Sequence, residues 1–226
     1  MTIFDYLTPI SETLLYKRDD PNDVRLGEVV RTRFADYESA QVVIIGCPQD
    51  EGVRRNQGRV GAAQAPDAVR QALYRLVTPE NADAILFDMG NTHIQSTLEE
   101  THAVHRDIVQ KLVTDGKRVI SIGGGNDLSY PDCSGLACAI SDVLAINIDA
   151  HFDVRADAVC NSGTPYRQLL NEGFVVPEKF FEVGSIPAVN SPAHRDYLLN
   201  KRAHIIDLAT LLKRGISDVF AEILSH

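Results

Sequence analysis

What the chain lacks narrows the field first. No apolar run approaches the roughly 20 residues that span a bilayer, so no membrane-crossing helix is expected. Positive charge is scarce: 22 Lys and Arg stand against 31 Asp and Glu, a formal net charge of −9. That balance argues against a general nucleic-acid binder. None of the four cysteines (Cys47, Cys133, Cys138, Cys160) stands in a Cys-x-x-Cys pair. With no signal-peptide pattern in view, reduced thiols and a cytoplasmic location are expected. There is no internal repeat and no low-complexity segment. No Gly-x-Ser-x-Gly elbow surrounds Ser129, Ser162 or Ser185, which disfavours a serine hydrolase. The glycine run 123–127 (GGGND) has neither a Gly-Lys-Ser/Thr ending nor G-x-G-x-x-G spacing, so it is a weak nucleotide signal.

What is present suits one soluble domain over residues 1–226, with 44% hydrophobic residues and a core that needs no staples. Residues 1–40 are charged and irregular and read as a covering segment. Beyond them strands and helices alternate. Apolar runs at 41–47, 84–88, 118–122, 143–148, 180–183 and 203–207 read as six strands. A helix is expected from Pro66, with Val69, Ala72, Leu73, Leu76 and Val77 on its apolar face. Thr97 and Glu100 make a capping-box pattern for another helix, which Gly116 stops. Thr164-Pro165 and Ser191-Pro192 are further helix starts, and Ser217 opens the last one. The pattern predicts an α/β fold, a parallel sheet with helices on both faces.

Ligands of such sheets bind beyond the carboxyl ends of the strands. The first strand is followed by a long loop carrying Gly46, Gly52, Gly58 and Gly61, whose glycines permit unusual backbone angles. Its Arg54, Arg55 and Arg59 are forks for a carboxylate. The fourth strand is followed by DAHFD, with Asp149, His151 and Asp153 at alternate positions. Carboxylates plus one imidazole suit manganese or magnesium better than a thiol-loving metal. The competing reading makes Asp149 a turn cap and His151 an ordinary polar residue. His102 and His105, three apart, read as part of a surface helix, because no acidic partner stands at ligand spacing.

The motifs at the strand ends resemble those of the arginase, or ureohydrolase, superfamily. DAHFD resembles its Asp-Ala-His-x-Asp signature, and GGGND its Gly-Gly-x-His motif. PQDEGVRRNQGRVGAAQAPDAVR (48–70) looks like its N-terminal loop and helix, and NSGTPYRQLL (161–170) is similar to the formimidoylglutamase branch. The resemblance implies a three-layer arginase-like fold. It also implies a binuclear manganese site and hydrolysis of a C–N bond in a small linear amidine. The branch substrate is N-formimino-L-glutamate, split to L-glutamate and formamide in histidine degradation; the alternative is an agmatinase- or arginase-type reaction. Carried across, Asp149, His151 and Asp153 are the catalytic metal ligands, and Asn126 takes the place of a histidine ligand. Asn161, Ser162 and Gly163 fall in the substrate loop. Arg59 is a carboxylate partner suggested by its loop and charge alone. The family commonly forms closed oligomers, so a homo-oligomer is implied.

Two departures matter. Asn126 is a weaker ligand than an imidazole. The second Asp-x-Asp ligand pair is absent after Asp153, where Asp157, Asp196, Asp207 and Asp218 stand alone. The family's last two strands, which lie between the third and fourth strands found here, are also missing. The resemblance therefore implies a domain incomplete at its C-terminus, holding one Mn2+ well or none. It is either part of a longer enzyme, a chain that closes the gap by pairing its third and fourth strands, or one completed by another chain. A truncated or degenerate non-catalytic member is the alternative.

Overall fold

The β-branched run after residue 41 becomes a deeply buried strand. In the computed structural model, which describes residues 3–79 and 83–226, Val43, Ile44 and Ile45 are wholly inaccessible. They belong to β2 (Val42–Gly46), which is paired in parallel on both sides: with β3 (Leu86–Thr92) and with β4 (Arg118–Ile122). The covering segment contributes a short β1 (Leu7–Thr8), antiparallel to β3 at the outer edge. It also seats Leu14, Val30 and Tyr37 in the core. A second, wholly parallel sheet holds β5 (Ala145–Ile148), β6 (Phe180–Ser185) and β7 (His204–Asp207), in that order.

The six expected strands are thus present, joined by β1. The helices are α1 (Leu26–Val29), α2 (Glu51–Arg55), α3 (Ala65–Leu73), α4 (Leu98–Thr114), α5 (Ser129–Ala139), α6 (Pro165–Glu172), α7 (Pro192–Asn200), α8 (Leu208–Arg214) and α9 (Ile216–Ile223). The capping box forms as expected: Glu100 N–H donates to Thr97 Oγ1 and Thr97 N–H to Glu100 Oε2, both at 3.1 Å. The C-terminal region is richer than its pattern suggested. Asp207 ends β7 and caps α8, accepting from Thr210 N–H at 2.7 Å. Gly215, at φ 87°, then separates α8 from α9.

Helix α3 buries a different face from the one its apolar spacing indicates. Val69, Leu76 and Val77 are exposed, while Pro66, Arg70 and Tyr74 are buried. The reason is electrostatic. Arg70 forks onto Asp88 of β3, with Nε 2.7 Å from Oδ2 and Nη2 2.9 Å from Oδ1. It also reaches Asn91 Oδ1 at 2.6 Å and the Gly90 carbonyl at 2.9 Å, while the Tyr74 hydroxyl donates to Asp88. A buried carboxylate demands such partners, and meeting that demand rotates the helix.

Among the described residues the two sheets do not join. β4 is paired only with β2, and β5 only with β6, so the self-closing arrangement, third strand on fourth, does not form. The gap opens where the family resemblance places two further strands. Beside β4 an apolar trough of about 480 Å³ is lined by Val109, Val113, Val119 and Leu136 from α4, β4 and α5. Ile120 and Ile148 are left 46% and 68% exposed on the facing strands. About half of the N–H groups of an edge strand have no ladder partner. Hydrogen exchange should therefore find the outward amides of β4 and β5 unprotected relative to Val43–Ile45. Equal protection would show that the gap is closed in solution.

Candidate metal and substrate site

The carboxyl ends of β4 and β5 face one cavity of about 570 Å³. From the β4 side come Gly124, Gly125 and Asn126, and from the β5 side Asp149, His151 and Asp153. The glycine run serves close approach rather than phosphate binding. A Cβ on Gly124 would sit 1.6 Å from the Gln49 carbonyl oxygen, so only glycine lets this turn lie against the loop after β2. Gly125 N–H donates to that same carbonyl at 3.1 Å.

Asp149 fills the cap role at the exit turn, accepting from the His151 N–H at 2.7 Å, and also stands at the cavity. The His151 imidazole lies with Nδ1 3.1 Å from Asp149 Oδ1. Asp153 is held at φ 46°, a left-handed conformation that Asp tolerates better than most residues. Burial, and then the Asp149 carboxylate, push the Asp153 carboxyl up to about 6. Asn126 bridges the two strand ends: its Nδ2 donates to Asp153 Oδ2 at 2.6 Å and to the Ser162 carbonyl at 3.2 Å. Its Oδ1 accepts from Ser129 at 3.1 Å.

The residues expected in a substrate loop divide. Ser162 lines the cavity and is held by Asn56 Nδ2 at 3.0 Å. Asn161 is buried and shapes the loop instead, bonding Asp157 and the Gly163 N–H at 2.8 and 2.9 Å. Gly163 packs against Arg155, whose N–H donates to the Gly163 carbonyl at 2.8 Å. Arg59 is exposed and does not line the cavity. Arg54 and Arg55, the other forks of that loop, are taken by the protein's own acids. Arg54 pairs with Glu51, and Arg55 with Glu51 and Glu99. Of the loop's four glycines only Gly61 has a positive φ, 125°.

Arg155 and His194 are among the cavity residues that escaped the sequence reading. Arg155 continues the alternation 149, 151, 153 by one more step, a signal that was there to use. It forms no salt bridge with the described residues. His194 arrives from α7, and nothing local marks it. Burial and the nearby Arg167 and Arg155 hold its pKa below the usual imidazole value.

The reading of His102 and His105 as surface residues is corrected: they are 3% and 0% exposed. His102 Nε2 lies 2.7 Å from Asp127 Oδ2, which also accepts from Gln49 Nε2 at 2.6 Å. His105 spans Thr92 Oγ1 at 2.7 Å and Asp132 Oδ1 at 2.9 Å. Their acidic partners lie far along the chain, so spacing could not reveal them. Through Asp127, His102 pins the turn that carries Asn126.

A family model described as the arginase family matches residues 40–226. The chain belongs to the arginase family. It is 35% identical over 217 residues to a formimidoylglutamase of Klebsiella pneumoniae (strain 342), covering 90% of this chain and 67% of that one. A formimidoylglutamase of Salmonella arizonae is 39% identical over 171 residues, 71% of this chain and 54% of its own. The chain thus spans between about half and two thirds of these relatives' length. Among solved structures, Trypanosoma cruzi formiminoglutamase with Mn2+ superposes with a TM-score of 0.84 at 34% identity, over 90% of this chain and 71% of that one. The formimidoylglutamase of Bacillus subtilis superposes with a TM-score of 0.82 at 22% identity, over 93% and 68%, and speaks for the fold alone.

The donor types in this arginase-family cavity fit a hard divalent cation: two carboxylates, an imidazole and an amide. A desolvated Asp153 beside a second carboxylate is an arrangement that a cation would relieve. The shell is not closed, however. Among the described residues no three His, Cys, Asp or Glu side chains are gathered as a metal group, and none of the described helices is long and apolar enough to cross a membrane.

Proposed function

We propose that this fold serves a manganese-dependent amidine hydrolase of the formimidoylglutamase type: N-formimino-L-glutamate and water give L-glutamate and formamide, a step in histidine breakdown. The observation that carries the reading is the joining of Asp149, His151, Asp153 and Asn126 in one cavity that Arg155 and Ser162 also face. Asp149, His151 and Asp153 would hold the cation, with Asn126 as a weaker oxygen donor. Manganese supplies Lewis-acid polarisation and lowers the pKa of water. Arg155 offers a planar fork to a substrate carboxylate, and Ser162 a hydroxyl to the amino-acid end. N-formimino-L-glutamate carries two carboxylates, against one in arginine and none in agmatine, and Arg155 stands in the cavity to meet one of them.

The open gap beside β4 and β5 favours a second reading, in which residues 1–226 alone are catalytically silent. Both are tested by formamide release with Mn2+, from the chain alone and with the remaining part of a formimidoylglutamase added as a separate polypeptide. Release from N-formimino-L-glutamate, abolished by Asp149→Ala, is the expected result for the completed sheet. Preferred turnover of agmatine or arginine would overturn the substrate assignment.

A further inference from the structure

Glu182 is a carboxylic acid with no role in the site described so far. It lies in the middle of β6, fully buried, with Oε1 unpartnered. Its Oε2 has one contact, Asn147 Nδ2 of β5 at 2.9 Å. From there a single row of hydrogen bonds runs to the cavity. Asn147 Oδ1 is 2.9 Å from the Tyr166 hydroxyl, which is 3.2 Å from Ser129 Oγ. Ser129 Oγ is 3.1 Å from Asn126 Oδ1, and Asn126 Nδ2 is 2.6 Å from Asp153.

Counting hydrogens shows what the row requires. Between the oxygens of Asn147 and Asn126 lie three contacts, and the two hydroxyls bring only one hydrogen each. With both amides in this sense, Tyr166 donates to Asn147 and Ser129 to Asn126. The Tyr166–Ser129 contact, the longest of the three, is left without a hydrogen. One more proton repairs it. If Glu182 is neutral and the Asn147 amide is turned over, every bond points one way: Glu182 to Asn147, to Tyr166, to Ser129, to Asn126, to the Asp153 carboxylate. The weak 3.4 Å contact of Asn147 with the His151 carbonyl is then lost. If Glu182 is ionised, the row runs the other way, and the Asn126 oxygen turns to Asp153 and the cavity. That sense sets the Asn126 oxygen against the Asp153 carboxylate, a contact that a cation relieves.

We infer that Glu182 is a positioning residue: through Asn147, Tyr166 and Ser129 it sets which end of the Asn126 amide faces the cavity. The inference rests on the metal reading only in its consequence. A cation taken up between Asn126 and Asp153 reverses the row and releases the proton of a carboxyl on a different strand. Burial alone favours the neutral acid and, with Asp153 and Asp149 adding to it, pushes Glu182 up to about 9. The titratable groups facing it are Asp149, Asp153 and Tyr166, and no cation opposes them among its described neighbours.

The test has a readout that needs no metal. Side-chain amide resonances of Asn126 and Asn147 are followed by NMR from about pH 7 to about pH 10, across the Glu182 range. In the wild type both should shift together. In Glu182→Gln neither should shift, since an amide can lead or end the row without a proton. In Tyr166→Phe, Asn147 should still move and Asn126 should not. A wild-type Asn126 amide that ignores pH, or moves equally in Glu182→Gln, overturns the inference. Calorimetric titration with Mn2+ at about pH 8, where the Glu182 carboxyl still keeps its proton, reads the consequence. The wild type should release about one proton per Mn2+, and Glu182→Gln close to none. Equal release in both overturns the coupling. No Mn2+ uptake with the amide shifts intact overturns the metal reading and upholds the row.

Discussion

Arg70→Ala is expected to lower the unfolding free energy by about 3–5 kcal/mol, the range for removing one partner of a buried ion pair. The guanidinium is inaccessible to solvent, and so is the Asp88 carboxylate it holds. Without Arg70, Asp88 keeps only the Tyr74 hydroxyl and the Gly90 N–H, the latter at 2.9 Å. Arg70→Lys should fall between wild type and Ala, because an ammonium keeps the charge but cannot fork onto both oxygens. Chemical denaturation checks the series, and a loss under about 1 kcal/mol for Ala would mean the pair is solvated and behaves as a surface bridge. The pair also bears on the site. Arg70 bonds Asn91 and the Gly90 carbonyl at the end of β3, beside Gly46 at the end of β2. It thereby fixes the start of the loop that meets the Asn126 turn.

Glu182→Gln should do the opposite and stabilise the protein, by an amount that grows with pH. The unfolded chain releases this proton near 4.5, while the native state keeps it up to about 9. Between those values the native state binds more protons than the unfolded state, so raising pH works against folding. The slope is about 1.4 kcal/mol per pH unit, or about 3 kcal/mol by pH 7. The amide of the variant has no such proton to lose. The difference in unfolding free energy between variant and wild type should therefore rise steadily from about pH 5 to about pH 9, other groups cancelling. A flat difference would mean that Glu182 is ionised and solvated in the native protein.

Residues close in sequence were legible. DAHFD placed Asp149, His151 and Asp153 at one strand end because strand alternation and the following turn are local geometry. Thr97 and Glu100 found their capping box for the same reason. Legibility failed wherever a polar group was satisfied by a distant one. His102 looked like a surface residue, yet Asp127, 25 positions on, buries it. Val69 and Leu76 looked like core, yet the pairing of Arg70 with Asp88 turns the helix over. Arg59 looked available for a carboxylate, whereas Arg155 reaches the cavity.

The sequence by itself determined the strand–helix order, the family and the position of three candidate ligands, since each rests on periodicity or on a contiguous motif. Tertiary structure alone decided that β4 and β5 stay apart. It also decided that Asn126 bridges them by its side chain, and that a buried acid on β6 is wired to that amide. Whether two strands meet depends on how helices such as α4 and α5 pack against them. Whether a carboxyl keeps its proton depends on which groups from other elements surround it. Neither quantity is carried by any short stretch of chain.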